Sequence, residues 1–198
     1  MKLFNYLNTN NLSRQVDPFM QLLLKRLSIM EALASIKFKQ RPIDDYQRES
    51  IIMTTLRNTC QSSGFSIEKT GFILSIFLEN ISLAKCIQRA CFHEWEMLSV
   101  ETVKQLGLLS AQSIISHNLS NLMLLQSLHE YVDYTTHAMF DALRLLNKTS
   151  DLNKLMEPLT SCFPHINQCK LERIITNLME YMTKLISLSP GNEKYETS

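Results

Sequence analysis

Glycine and proline are scarce in this chain, four and five in 198 residues. That is too few for frequent tight turns and suits long helices joined by short connections. Valine is also sparse, while Leu, Ile and Met dominate the apolar set, a choice that favours helix over strand. Charge of one sign is missing as well. The formal net charge is +1 and no long basic block occurs, so a nucleic-acid partner is not expected. A near-neutral chain can still hold a small cationic pocket. No run approaches 18 consecutive apolar residues, so no membrane span is expected. The opening MKLFNYLNTNNLSRQ lacks the apolar core of an export signal, which points to the cytoplasm. There is no Gly-rich phosphate loop and no Ser/His/Asp arrangement. Cys162, His165 and Cys169 have loose metal-like spacing without a fourth ligand, so neither metal nor cofactor is expected. The five cysteines are odd in number and scattered; Cys86 and Cys91 read as buried thiols, and only Cys162 and Cys169 lie where they could pair.

What is present is helical periodicity. Phe19, Leu23, Leu27, Met30, Leu33 and Ile36 recur every three or four residues and predict a helix over 16–40, ended by Gln40-Arg41-Pro42. Asp44 or Asp45 can cap a second helix reaching Ser62, before the Ser63-Gly64 stop. Ser66 can cap a third, extending to about Leu98, in which Gly71 is unfavourable unless a close contact needs its missing side chain. Punctuation near Gly107 leads to a long helix over 110–146, with Trp95 expected as an anchor against this second half. A short helix over 151–159 and a final one over 167–188 complete the chain. The fold class is all-α, a bundle of elongated helices with a three-helix unit over 15–98 and a helical C-terminal half over 99–188. Asn118 and Asn147 begin glycosylation-type triplets, which helical context makes uninformative.

Polar residues interrupt the first unit at telling places. Arg26 and Lys37 are eleven residues apart, nearly three turns, and so project from one helix face roughly 16 Å apart. Their neighbours there are apolar or small. Either both long side chains snorkel from the rim of an apolar stripe, or both face a cavity. Asp45 and Glu49 are explained as a cap and a first-turn acid. Arg48 is not, because a cation in the first turn opposes the helix dipole and calls for an anionic partner. On the third helix, Asn80, Lys85 and Gln88 punctuate the apolar run FILSIFLENISLAKCIQ, and a desolvated Gln88 needs a hydrogen-bond partner. His117, His129 and His137 are not helical neighbours and read as packing or solvent-facing residues.

The stretches RLSIMEALASIKFKQRPIDDYQRESII and FLENISLAKCIQRACFHEW, in this order, resemble the all-helical chorismate mutases. The similarity covers about residues 19–97 and is closest to the monofunctional, often exported gamma subclass, whose pocket lies within one protomer. Its most specific elements are Arg26, Lys37, the segment 42–49 and K-C-I-Q at 85–88. The resemblance implies conversion of chorismate to prephenate, a step of aromatic amino acid biosynthesis, without cofactor or metal. It implies that Arg26 and Arg48 hold substrate carboxylates and that Lys37 and Gln88 donate to the ether oxygen of the breaking bond. Glu49 would contact the ring hydroxyl, with Asp45 and Lys85 as supporting substrate-site residues. It also implies a homodimer and, through exported relatives, a periplasmic or secreted location, against the cytoplasmic reading of the N-terminus. The chain departs from the subclass in one conspicuous way. That group supplies a further arginine from its second half, yet no Arg lies between Arg89 and Arg144, and Lys104 is the expected substitute. Ala84 and Asn80 also stand where relatives carry other polar groups. The alternative expectation is a catalytically weak or inactive helical interaction protein that keeps this fold.

Overall fold

The computed structural model describes residues 2–9, 16–112, 121–146 and 150–188, and among them all regular structure is helical. The elements are α1 (Lys2–Thr9), α2 (Pro18–Ser28), α3 (Met30–Lys37), α4 (Tyr46–Ser62), α5 (Ile67–Glu94), α6 (Val100–Gln112), α7 (Asn121–Arg144), α8 (Met156–Cys162) and α9 (Gln168–Ser187). A single 3-10 turn at Leu152–Leu155 leads into α8. The two caps expected from sequence, at Asp45 and Ser66, form, and Asn167 adds a third. The Asp45 carboxylate accepts from the Arg48 amide at 3.1 Å, the Ser66 hydroxyl from Lys69 at 3.1 Å and the Asn167 side chain from Lys170 at 2.9 Å. Gly64 follows the last turn of α4 at φ 72, the left-handed conformation that a helix stop favours.

Two expectations change. The helix predicted over 16–40 is two helices, because the ladder breaks at Ile29. There the Ser28 hydroxyl donates to the Lys25 carbonyl at 2.7 Å, competing with the backbone for that acceptor. Gly107 is not punctuation. It lies within α6, where a Cβ would stand 1.5 Å from the Ser35 hydroxyl oxygen, so the missing side chain lets α6 cross α3 at close range. Gly71 has open space around its missing Cβ, so no close contact demands it. The long helix expected over 110–146 is represented by the end of α6 and by α7; residues 113–120, including His117 and Asn118, and the 147–149 triplet lie outside the described residues.

The two halves pack through one another. α5 runs against α3, α4 and α9, while α2 packs on α7, α3 on α6 and α1 on α8. Leu23, Leu27, Ile76, Ile87, Leu128, Leu171 and Leu178 are fully or almost fully buried at these contacts, each contributing about 1.5–3 kcal/mol. By length and composition α5 could cross a membrane, with a mean hydropathy of 1.4 over its most apolar window; 56% of that window is buried against the other helices. Trp95 is buried as expected, and one ring it meets belongs to the first half. Its ring meets Phe38 edge-on at 6.0 Å, and Phe38 meets Phe92 at 5.4 Å. Beside them Lys39, at φ 55, donates to the Glu96 and Leu98 carbonyls just past α5. His93 reaches the second half, stacking on His165 at 4.4 Å. Cys162 is buried and Cys169 exposed, and both are free thiols, as are Cys60, Cys86 and Cys91.

Candidate functional site

The cavity among α2, α3, α4, α5 and α7 is lined by Arg26, Lys37, Asp45, Arg48, Glu49, Lys85 and Gln88. These are all the site residues expected from sequence except Lys104. The break at Ile29 therefore leaves Arg26 and Lys37 on a common face, and of their two readings the cavity-facing one holds. Apolar walls come from Met30, Leu33, Ile43, Ile52, Ile81, Ala84 and Val132. The space open to the centre of a water molecule is about 80 Å³, several times the roughly 10–15 Å³ that one ordered water needs. A small organic molecule is in range.

Each polar group is held by a neighbour that the sequence makes available. At the start of α4, Asp45 caps the Arg48 amide, and the Asp45 amide donates to Glu49 at 3.2 Å, a reciprocal cap that fixes both carboxylates. Lys85 on α5 then lies 2.8 Å from Glu49 and 2.9 Å from Asp44. Arg89, one turn on, grips Asp44 with both contacts at 3.0 Å. This network fastens the connection between α3 and α4 onto α5 at the cavity edge. Burial alone would lower the Lys85 ammonium, but its bonds to Glu49 and Asp44 outweigh that and hold it above its ordinary value. Arg48 reaches across to α7 and donates to Asp133 at 2.8 Å and to the His129 carbonyl at 3.1 Å. The anionic partner that its place in the helix called for is thus Asp133.

Arg26 and Lys37 are different. Arg26 is 3% exposed and donates to the Val132 carbonyl at 3.0 Å and to the Thr136 hydroxyl; both partners are neutral. Lys37 is 9% exposed and its ammonium donates to the Ile43 carbonyl at 3.2 Å. Among the described residues neither makes an ion pair with a carboxylate. Burial lowers both, Arg26 to about 10, with Asp133 opposing the shift for Arg26 and Asp45 opposing it for Lys37. Two polar atoms of the site residues also lack partners, the Arg26 Nε and the Gln88 Oε1. The Gln88 amide nitrogen meets only the Met30 sulfur at 3.7 Å, a weak acceptor. Buried cations are normally matched by anions and buried amides by partners. This cavity leaves two cations and an amide to be matched by something else.

Sequence reasoning missed the contribution of α7. His129 lines the cavity, Asp133 holds Arg48, and Val132 and Thr136 hold Arg26. Positions 129, 132, 133 and 136 follow helical i, i+3, i+4, i+7 spacing and so share one face of α7. The reading of His129 as a packing or solvent residue is corrected accordingly; His137, one face away, is exposed. Lys104 is corrected too. It stands on α6, on the side of α3 that meets Gly107, and does not line the cavity. Asn80 is fully buried but sits off the cavity beside Met139. Among the described residues no group of His, Cys, Asp or Glu gathers as for a metal ion. A second, mostly apolar groove of about 180 Å³ lies between α4 and α7, sharing Arg48 and Ile52 with the first. No family model, no curated protein and no solved structure matches this chain.

Proposed function

We propose that this cavity binds chorismate and that the protein is a chorismate mutase, converting it to prephenate by an intramolecular Claisen rearrangement. The observation that carries the reading is the pair of buried cations, Arg26 and Lys37, without carboxylate partners in a cavity that also holds Gln88. A doubly negative small molecule supplies the charges those two side chains lack.

The chemistry needs little more. In the rearrangement the ether C–O bond breaks as a new C–C bond forms within one molecule, so no nucleophile, proton transfer or metal is required. The enzyme must hold a flexible dianion in the compact conformer where the reacting carbons meet. It must also aim donors at the ether oxygen, which gains negative character as its bond to carbon breaks. In this proposal Arg26 and Arg48 clamp the carboxylates, and a planar guanidinium orients a carboxylate as a lysine cannot. Lys37 and Gln88 donate to the ether oxygen from two sides. Glu49, fixed by Lys85, accepts from the ring hydroxyl. Because Gln88 is neutral at every pH, its role demands no acidic optimum. The lining residues belong to one chain, so the reading does not depend on a homodimer.

Product identification tests the proposal. Incubation with chorismate should yield an isomer of equal mass with the prephenate NMR spectrum. Lys37→Ala should lower the rate by at least about 10²-fold with helix content unchanged. A Lys37→Ala protein that turns over normally, or unfolds, would remove Lys37 from the chemistry. The Arg48–Asp133 pair favours a second reading, in which Arg48 is committed to the fold and the cavity binds a dianion without transforming it. Tight binding of chorismate with no product is its signature.

A further inference from the structure

His129 enters the cavity from α7. Its surroundings are mixed in charge. Arg26 faces the cavity from α2 and Lys37 from α3, with Asp45, Arg48 and Glu49 from α4 and its cap, and Lys85 from α5. On its outer side it shares a cleft with Arg41, Glu130 and Asp133. Lys85 pairs with Glu49 and Asp44 and Arg48 with Asp133, whereas Arg26 and Lys37 have no ion-paired carboxylate and Lys37 feels Asp45 only at a distance.

We infer that His129 is the cavity's third anion-binding group, neutral while the cavity is empty and cationic once a dianion is seated, so that binding takes up one proton. This deepens the chorismate reading and rests on its premise that the ligand carries two negative charges. The geometry supplies the reason. An imidazole half-buried beside Arg48 and Lys37 is disfavoured as a cation by burial first and by those two charges next, which hold it down at about 4. A dianion between the same cations cancels the repulsion His129 feels from them, and the imidazolium then has two ring N–H donors to offer. A monoanion offsets those cations half as strongly as a dianion, so proton uptake favours doubly charged ligands.

The sign follows from linkage. A group whose affinity for protons rises on ligand binding makes the ligand bind more tightly at low pH, between the free and bound titrations. Return of His129 from about 4 to its ordinary 6.5 would make binding about twentyfold tighter at pH 5 than at pH 7. The probe should keep its own charge fixed, and 1,2-ethanedisulfonate is doubly negative throughout this range. Calorimetric titration of the full chain at pH 5, 6 and 7, with NMR of the 15N-labelled His129 ring, reads affinity and protonation separately. The expected result is a ring that becomes protonated at pH 6 only when the disulfonate is bound, and a pH slope that disappears in His129→Gln. Binding with a ring that stays neutral overturns the role of His129 and leaves the dianion reading standing. Failure of both disulfonate and chorismate to bind folded protein overturns both. If disulfonate binds with proton uptake while chorismate does not bind, the role of His129 stands and the chorismate reading falls.

Discussion

Replacing Arg26 by methionine should leave the protein at least as stable while weakening its hold on an anion. Arg26 is 3% exposed, its Nε has no partner, and its guanidinium is lowered from 12.5 to about 10, mainly by burial. That drop corresponds to about 3 kcal/mol against the charged form in the folded chain. The unfolded guanidinium keeps its ordinary value, so the cost is fully present at every pH below about 10 and fades only as the pH climbs further toward the unfolded value. Methionine is apolar, unbranched and able to fill the vacated space. The two lost hydrogen bonds offset about 1–3 kcal/mol of the gain, at 0.5–1.5 each. Their acceptors are not stranded, since the Thr136 hydroxyl still donates to the Val132 carbonyl at 2.7 Å. The net expectation is a stability change between zero and a gain of about 2 kcal/mol, a urea midpoint that holds or rises by up to roughly 1 M at unchanged slope. Affinity for a dianion should fall at least about tenfold, as loss of a charged hydrogen bond implies. A midpoint that moves down would show that Arg26 supports the fold, and the inference from an unmatched buried cation to a ligand would be wrong.

Three further substitutions separate site from scaffold. Lys104→Ala should leave the Michaelis constant for chorismate unchanged, because Lys104 lies away from the cavity; a rise of severalfold would restore it as a substrate ligand. Asp133→Asn releases Arg48 from a partly exposed pair (27% and 47% exposed) worth about 0.2–1 kcal/mol, so dianion affinity measured by calorimetry should rise about 1.5- to 5-fold, and weaker binding would mean that Asp133 holds Arg48 in its working pose. Gly107→Ala forces a methyl to within 2.3 Å of the Ser35 Cβ and should cost about 1–3 kcal/mol in urea unfolding. Adding Ser35→Gly should return most of that loss, and no rescue would place the strain elsewhere.

Much of the helical order is legible in the chain because local chemistry decides it. Asp45 and Ser66 cap the helices they were expected to cap, since each is a short polar side chain ahead of a periodic apolar run, and Asn167 does the same for α9. The break at Ile29 is not legible, because the apolar stripe continues across it and only the Ser28 hydroxyl diverts the ladder. Gly107 resembles a stop in sequence and becomes a crossing point only when α3 lies beneath it. The cationic side of the site is legible because Arg48 sits against its helix dipole and Arg26 and Lys37 interrupt apolar stripes. The α7 wall is not, because His129 and Asp133 stand on a helix whose exposed face carries similar polar residues. Only packing against α2 and the reach of Arg48 distinguish them. The expected bond of Gln88 is absent for a related reason, since its neighbours in the fold are Met30 and open cavity.

The most direct measurement is the rate at which purified, folded protein consumes chorismate, followed by the decay of chorismate absorbance against a protein-free control. A saturable rate well above the uncatalysed one, lost in Lys37→Ala and suppressed by 1,2-ethanedisulfonate, is the predicted result. Decay no faster than the control, from protein whose helix content and urea unfolding are intact, would contradict the account.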